Sequence, residues 1–286
     1  MVACGRDRAR HLGASAAVPA SFQVISLVIL GVTLSSLAVV MACAFPTRAE
    51  DSTAETLAQQ KLNPLAYAIN LPATLNFSFA HGEAVQPSLE FQPLIPLKLS
   101  EDWRLVTRSD VSIVHVPAPE EITGLSDTDV SLFLTPARTG PWVWGVGPIL
   151  EFPTATNTRL GSGKWSAGPT AALVYAGGPW VNGILVSQLW SFAGPSNRED
   201  VSLMQIEVQL SYAFSSGWYV LTNPTISSDW KVPSGQGWTV PVGAAVGKTF
   251  NVGSQGMSLQ LGAYYNAKKP AGAPAWVLQT QFSLIY

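Results

Sequence analysis

Polar and apolar residues alternate along much of the second half of this chain. Between residues 201 and 214, one parity carries Met204 and Ile206, whereas the other carries Gln205 and Glu207. Successive side chains of a β-strand point to opposite faces, so a period of two predicts a strand with one apolar and one polar face. The last two segments of the chain show the same alternation.

The same test along the whole chain predicts twelve strands, with a range of ten to fourteen. They run over about 73–80, 87–99, 103–116, 127–136, 141–153, 164–175, 179–193, 201–215, 217–228, 237–249, 256–268 and 275–286. The second and ninth strands contain Pro93, Pro96 and Pro224, which disturb ordinary strand pairing. The uncharged stretch 165–197 is no membrane helix, because breakers such as Gly168-Pro169 interrupt it.

The connections and the tryptophans follow a matching pattern. Connections after even-numbered strands are short, and those after odd-numbered strands are generally longer, as in an outer-membrane barrel. Seven tryptophans open strands: Trp103, Trp142, Trp180 and Trp218 after short connections, and Trp165, Trp238 and Trp276 after long ones. Two such sets at opposite strand ends match two interfacial aromatic girdles.

Composition agrees with a protein that lipid partly solvates. Only 12% of the 286 residues are charged, against roughly 25% in a usual globular protein. The formal net charge of −2 excludes the basic footprint of a nucleic-acid binder. The 24 Gly and 21 Pro argue against a helical bundle. The predicted fold is all-β: a transmembrane antiparallel up-and-down β-barrel of about 12 strands with a short N-terminal helix, closed so that no edge lacks partners.

The first residues predict export. Arg6, Arg8 and Arg10 precede the apolar run 24–44, which ends in Ala42-Cys43-Ala44, a small-residue cleavage site. We assign residues 1–44 to a signal peptide, with an alternative end at residue 49. An uncleaved anchor and a lipid-modified Cys43 are the weaker alternatives. Both cysteines lie in the removed segment.

Residues 45–72 form a linker with one short helix before the barrel, which takes up residues 73–286. Asn63 is a good helix N-cap and Pro64 a good first helical residue, so the sequence predicts a helix that starts there. Leu62, Leu65 and Ile69 share one of its faces. The helix packs on the rim, enters the lumen as a partial plug, or is only a turn within a linker; the sequence does not distinguish these.

Several stretches resemble a known bacterial family. Residues 147–156 read Gly-Pro-Ile-Leu-Glu-Phe-Pro-Thr-Ala-Thr, and residues 160–169 read Leu-Gly-Ser-Gly-Lys-Trp-Ser-Ala-Gly-Pro. With 63–66, 101–103 and 238–241, they are similar to the outer-membrane transporters of the phenol-degradation meta-pathway group, some of which are mislabelled neuromedin U. The resemblance covers about residues 58–286. It implies a barrel and the uptake of small, often hydrophobic or aromatic compounds, without defined substrate-binding residues to transfer.

The most specific part of this resemblance predicts an extracellular hairpin. Its signature residues are Pro153, Thr154, Thr156, Gly161, Gly163, Lys164 and Trp165. The proline ends a strand, the threonines can form local turns, the glycines allow positive φ, and the tryptophan anchors the returning strand. A purely structural turn explains the signature at least as well as a ligand-binding loop.

No constellation for catalysis stands out. His11, His81 and His115 form no pair at metal-ligand spacing, so the sequence predicts no enzyme, no cofactor and no metal site. What remains is the polar parity, because charges that face lipid cost about 2–4 kcal/mol at the midplane. The lumen-lining candidates are Glu90, Arg104, Arg108, Asp110, Glu151, Gln205, Glu207, Gln209 and Gln260.

These charges allow two interpretations. Arg104 and Arg108 can pair with Glu90, Glu207 or Glu151. Such pairs either brace the barrel wall or form a constriction that selects small solutes. Inward glycines leave space or permit sharp curvature.

The sequence therefore predicts a bacterial outer-membrane β-barrel channel or transporter for small, often hydrophobic or aromatic solutes. The alternative is a structural or adhesive barrel with a packed lumen and partner-binding extracellular loops. The expected partners are the lipid bilayer with its lipopolysaccharide and the barrel-assembly machinery. The strand ending at Tyr286 resembles the signal that this machinery recognises.

Overall fold

The computed structural model describes residues 51–117, 120–138, 140–233 and 235–286. This part of the chain contains one helix, α1 (Asp51–Leu62), and fifteen strands. The strands are β1 (Asn70–Phe79), β2 (Gln86–Phe91), β3 (Leu94–Lys98), β4 (Trp103–Val116), β5 (Ile122–Leu125), β6 (Thr128–Pro136), β7 (Trp142–Phe152), β8 (Trp165–Gly177), β9 (Trp180–Ala193), β10 (Ser202–Ala213), β11 (Trp218–Thr222), β12 (Thr225–Asp229), β13 (Trp238–Val252), β14 (Gln255–Lys268) and β15 (Trp276–Ile285). The predicted signal peptide, with its alternative end at residue 49, lies outside the described residues.

The strands form one closed antiparallel sheet. Neighbours along the chain pair in order, β15 pairs with β1, and β9 pairs with β10, so the circle has no free edge. Three positions in the circle hold two strands in line: β2 with β3, β5 with β6, and β11 with β12. The circle therefore has twelve positions, and the predicted 12-stranded up-and-down barrel is confirmed.

Short irregular segments separate the strands that lie in line. Pro93 separates β2 from β3 and Pro224 separates β11 from β12, as expected for a residue that cannot donate a ladder hydrogen bond. Ser126 and Asp127 separate β5 from β6. The fourth strand therefore begins at Ile122, earlier than the predicted start at residue 127.

The helix before the barrel exists, but the sequence prediction misplaced it. α1 ends at Leu62, and Asn63 opens a turn in which its Oδ1 accepts the backbone N–H of Leu65 at 2.9 Å. Good helix formers such as Leu57 and Ala58 precede this turn, and proline is as common just after a helix as at its start. In the described residues no helix is both long enough and apolar enough to cross a membrane.

We name the two ends of the barrel by their connections. At the short-loop end, β3 meets β4, β6 meets β7, β8 meets β9, β10 meets β11 and β13 meets β14; the other end is the long-loop end. Each of the seven predicted tryptophans begins a strand, at the end where the sequence placed it. Several pack against an aromatic neighbour, as Trp180 does on Tyr212 with ring centroids 4.9 Å apart.

The outer surface between these tryptophans is apolar. Exposed aliphatic side chains include Leu134, Val146, Leu173, Ile184, Val186, Leu210, Val220, Val246 and Leu278. A soluble protein would bury such a continuous band, whereas a membrane barrel leaves it to lipid. The band and the two tryptophan sets support the girdle interpretation.

Candidate functional site in the barrel lumen

The interior of the barrel has two chemically different halves. Toward the short-loop end, a cluster of apolar inward side chains packs around the segment that precedes β1, with a few buried polar side chains among them. Buried members of this core are Ala58, Leu62, Leu65, Leu94, Val106, Phe133, Val143, Ala172, Val174, Val181, Ala213, Tyr219, Leu221 and Ala245. The polar inward parity that the sequence predicts lines the chambers toward the long-loop end, and toward the short-loop end it supplies buried side chains such as Gln209 and Gln260 that bond to the segment before β1.

The segment 54–69, which we call the N-terminal plug, fills the short-loop half. Barrel side chains donate to three of its carbonyls: Thr249 Oγ1 to Ala54 at 2.8 Å, Gln209 Nε2 to Leu62 at 2.6 Å, and Arg104 Nη2 to Leu65 at 2.6 Å. The carbonyl of Leu62 lies at the helix end, where no intrahelical donor is left. Polar bonds as well as apolar contacts therefore fix the plug, and of the three placements the sequence allowed, the structure has the one inside the lumen.

Glycines shape the wall around this segment. A Cβ at Gly145 would lie 3.3 Å from Leu65 Cδ2, and one at Gly247 would lie 2.3 Å from Tyr219 Cζ. Larger side chains at these positions would displace the plug or the ring that touches it. The predicted role of inward glycines in leaving space applies here.

Arg104 holds the plug and forms no ion pair with the carboxylates predicted for it. Its guanidinium lies 3.6 Å from the centre of the Tyr67 ring and is buried. Besides its bond to Leu65, its Nε and Nη1 have no hydrogen-bond partner. A cation over an aromatic face gains electrostatic stabilisation in such a site. The prediction that Arg104 pairs with Glu90, Glu207 or Glu151 was wrong.

Lys61 carries an amino group into the apolar half. Its Nζ donates to Gln260 Oε1 at 2.6 Å and lies 4.9 Å from the centre of the Tyr219 ring. Burial without a carboxylate at hydrogen-bond distance lowers the pKa of Lys61 to about 7. The plug is therefore seated with a side chain whose charge changes near neutral pH.

Arg108 crosses the middle of the lumen. It comes from β4, and its Nη1 lies 2.9 Å from Glu207 Oε2 on β10, five positions away around a circle of twelve. Its Nε lies 3.7 Å from Asp110 Oδ2 on its own strand. The ion pair therefore joins nearly opposite walls of the barrel.

Cavities lie on both sides of this ion pair. One of about 240 Å³ is lined by amides and hydroxyls, including Thr74, Gln92, Asn223, Gln260, Asn266, Gln279 and Gln281. A second, of about 280 Å³, is lined by Asp110, Asp129, Ser131, Ser187 and Gln205. Both also contact Glu90, Arg108 and Glu207. A third, of about 70 Å³, lies between the ion pair and Lys61.

A row of carboxylates runs around one wall of the larger chamber. Asp110 on β4 lies opposite Asp129 on β6, and Asp129 lies opposite Glu151 on β7. Like charges in directly opposed positions destabilise a sheet. Asp129 Oδ1 is buried and has no hydrogen-bond partner. This row of opposed carboxylates therefore destabilises the barrel wall that contains it.

The signature hairpin folds against the strand gap at Asp127. Asp127 accepts hydrogen bonds from the backbone N–H of Ala155, Ser162 and Gly163 and from the Ser162 hydroxyl, at 2.6–3.3 Å. Thr156 Oγ1 accepts the backbone N–H of Leu125 and Thr154 Oγ1 donates to the carbonyl of Ser126, so the two threonines tie the hairpin to its neighbour instead of forming local turns. These bonds make the hairpin a fixed rim.

The two glycines of the hairpin are required for different structural reasons. Gly163 has φ +70°, as the sequence predicts, whereas Gly161 has no positive φ. A Cβ at Gly161 would lie 2.5 Å from the Asp127 carboxylate, so close packing requires this glycine.

Basic residues complete the mouth. Arg198 donates to the carbonyls of Gly161 and Ser162, and Lys164 Nζ lies 3.2 Å from Asp200. That hydrogen bond and the lysine charge lower the pKa of Asp200 below its usual range. The mouth encloses a cavity of about 500 Å³ lined by Glu151, Ser162, Asn197, Arg198, Glu199, Asp200, Val201, Leu203 and Asp229.

The structure brings together most of the candidates that the sequence selected. Glu90, Arg108, Asp110, Gln205 and Glu207 surround the central chambers, and Glu151 lies at the mouth. Gln209, Gln260 and Arg104 contact the plug, and Gln260 also lines the cavity of about 240 Å³. Sequence reasoning missed Lys61, Asp127, Arg198 and Tyr219. The described residues hold no group of three side chains suited to a metal ion.

Comparison with known proteins agrees with this architecture. No protein-family profile and no curated protein matches the chain. Among solved structures, the chain is similar to the COG4313 outer membrane channel from Pseudomonas putida F1, with a TM-score of 0.56 and 14% identity over 77% of this chain and 95% of that one. The chain has the fold of an outer-membrane channel. The beta domain of the Bordetella autotransporter Brka aligns over 77% of this chain and 99% of that domain, with a TM-score of 0.38 and 12% identity.

This likeness extends to the fold. It does not extend to the phenol-degradation grouping that the sequence resemblance implied. The closed barrel with its apolar band fits a bacterial outer-membrane location.

Replacing Asp127 should release the signature hairpin. In Asp127→Ala four hydrogen bonds lose their acceptor, so we expect trypsin to cleave after the exposed Arg159 at least about tenfold faster, as local opening becomes easier. Time courses of proteolysis in detergent measure this. The control is Glu101→Ala at the short-loop end, and equal cleavage rates in the two variants would contradict the role of Asp127.

The seating of the plug should depend on pH through Lys61. The pKa of Lys61 is about 7 when the plug is seated and returns to the ordinary lysine value near 10.4 when the plug is displaced. Between these two pH values the displaced state therefore binds one more proton than the seated state. Stability of the seated state therefore rises with pH across this window and levels off below it. In Ala58→Cys, a buried position, the rate of reaction with maleimide, corrected for thiolate formation, should therefore fall about tenfold for each pH unit of increase within this window.

Lys61→Met is the matched control for this measurement. It retains the length of the side chain and removes the titration, so its corrected labelling rate should not vary with pH. If both proteins show the same pH dependence of the labelling rate, Lys61 does not control the seating of the plug.

Proposed function

We propose that this protein is an outer-membrane channel for small solutes, and that the N-terminal plug closes it in the conformation described above. The observation that carries the proposal is the unequal interior: polar chambers continue from the long-loop mouth to the Arg108–Glu207 pair, and apolar packing then closes the barrel. A barrel that served only as a scaffold would have no need of chambers of 240–500 Å³ along its axis.

The size of the chambers restricts the solute. Each is smaller than or comparable to the lower range of ordinary ligand pockets, roughly 300–1,000 Å³, so the permeant molecules are small. Their walls are polar, which favours polar solutes over the hydrophobic or aromatic compounds that the family resemblance implies. Displacement of the plug would add an apolar lower passage lined by residues such as Val106, Phe133 and Val143.

A structural or adhesive barrel is the second candidate. The observation that favours it is the filled short-loop half, together with the hydrogen-bonded rim formed by residues 153–164. In that case the plug is a permanent part of the core, and the hairpin presents a fixed surface to a partner.

A reversible cross-link separates the two candidates. A Cβ at Gly217 would lie 2.9 Å from Ala54 Cβ, so Ala54→Cys with Gly217→Cys places two thiols across the plug and the wall. A disulfide prefers a Cβ separation of about 3.8 Å, so α1 must shift by about one ångström; the turn at Gly217 must also adjust, because its φ is +80° and the new Cβ would lie 2.8 Å from the carbonyl of Thr249. Cys4 and Cys43 are replaced by serine or removed with the signal segment.

We expect the oxidised protein to stay closed in planar bilayers and the reduced protein to conduct, because only the latter can release the plug. The same sample before and after reductant is its own control for folding and insertion. Ala54→Cys alone should conduct under both conditions. Conductance that never appears in any of these proteins would reject the channel and favour the structural barrel.

A further inference from the structure

The Arg108–Glu207 pair crosses the polar part of the lumen between the mouth and the plug. Cavities of about 240 and 280 Å³ both contact Arg108 and Glu207, so the two side chains stand where the chambers meet. The two side chains are only 15% and 16% exposed. A solute that enters either cavity therefore comes into contact with this pair.

Charge in this region is strongly unbalanced. Among the described residues that line the two chambers, Arg108 is the single cation, and it faces Glu90, Asp110, Asp129 and Glu207. Glu207 and Asp110 already compensate its charge at 2.9 and 3.7 Å. An anion that arrives at this point meets carboxylates and a guanidinium whose partners are already in place.

Acidic side chains also predominate in the lining of the cavity at the mouth. Of the side chains that line its cavity, Glu151, Glu199, Asp200 and Asp229 are acidic, and Arg198 is basic. Arg198 is itself bonded to the carbonyls of the hairpin. The row of opposed carboxylates Asp110, Asp129 and Glu151 joins the mouth to the central chambers.

We infer that the Arg108–Glu207 pair is the selectivity-determining constriction of the lumen and that small cations are the preferred permeant class over anions. This inference rests on the proposed channel function. Rings of carboxylates attract cations into a pore and repel anions, and low-dielectric walls focus this field. A cation that replaces the guanidinium at Glu207 is attracted by the neighbouring carboxylates, whereas an anion that replaces Glu207 at Arg108 is repelled by them.

Two neutralising variants test this with opposite expectations. Arg108→Gln and Glu207→Gln both break the bridge, so both should raise the single-channel conductance. Arg108→Gln leaves the carboxylates unbalanced and should raise the K⁺/Cl⁻ permeability ratio about threefold, whereas Glu207→Gln should lower it about threefold. Reversal potentials in planar bilayers under a tenfold KCl gradient give these ratios.

Matched controls make the same charge changes outside the lumen. Lys98 and Glu101 form an exposed ion pair at the short-loop rim, so Lys98→Gln and Glu101→Gln should leave the permeability ratio unchanged. Arg108→Lys keeps the charge and should keep the ratio of the wild type, even where a neutral variant fails to insert. Heat-modifiable electrophoretic mobility shows which variants are folded.

The outcomes are distinct. Shifts of the same sign in the two neutral variants, no shift in either, or a wild type that prefers Cl⁻ would overturn the inference while the channel function stands. If the reduced cysteine variant does not conduct at all, the channel function and this selectivity are rejected together.

Discussion

Every backbone N–H and C=O of a chain in lipid needs a partner within the protein, and the rest of this structure depends on that constraint. A closed sheet of twelve positions satisfies it, since β15 pairs with β1 and β9 with β10. Closure with this number of strands also fixes the width of the interior. Eight strands give an interior that inward side chains can just fill, whereas twelve enclose more space than that. The plug and the chambers are two ways of using the extra space.

The features that lipid and closure impose were the ones that the sequence predicted well. Alternation with a period of two marked the strands because one face must be apolar along the whole band. The tryptophans marked strand ends because they prefer the interface on each side. Pro93 and Pro224 lie at real interruptions of strands because they cannot donate hydrogen bonds.

The features that depend on distant contacts were not predictable in this way. Asn63-Pro64 is compatible with either end of a helix, and the packing of α1 inside the barrel, which the sequence does not show, selected the end. Nothing in the sequence around Asp127 indicates that it bonds to residues about thirty positions later in the chain. Arg104 and Arg108 share a strand face in the sequence, but only the barrel places one against Tyr67 and the other against Glu207.

The plug and the central ion pair meet at the border between the two halves of the lumen. Lys61 at the end of α1 and the Arg108–Glu207 pair line the same cavity of about 70 Å³. The amino group of Lys61 has no carboxylate at hydrogen-bond distance, whereas the guanidinium of Arg108 has two neighbouring carboxylates. A buried charge without a counter-ion costs more than a paired one, and the bond from Lys61 to Gln260 with its contact to the Tyr219 ring offsets only part of that cost. Moving Lys61 toward Glu207 would relieve that cost and at the same time weaken the bridge of Arg108. In the channel that we propose, Glu207 would therefore link release of the plug to the state of its pair with Arg108.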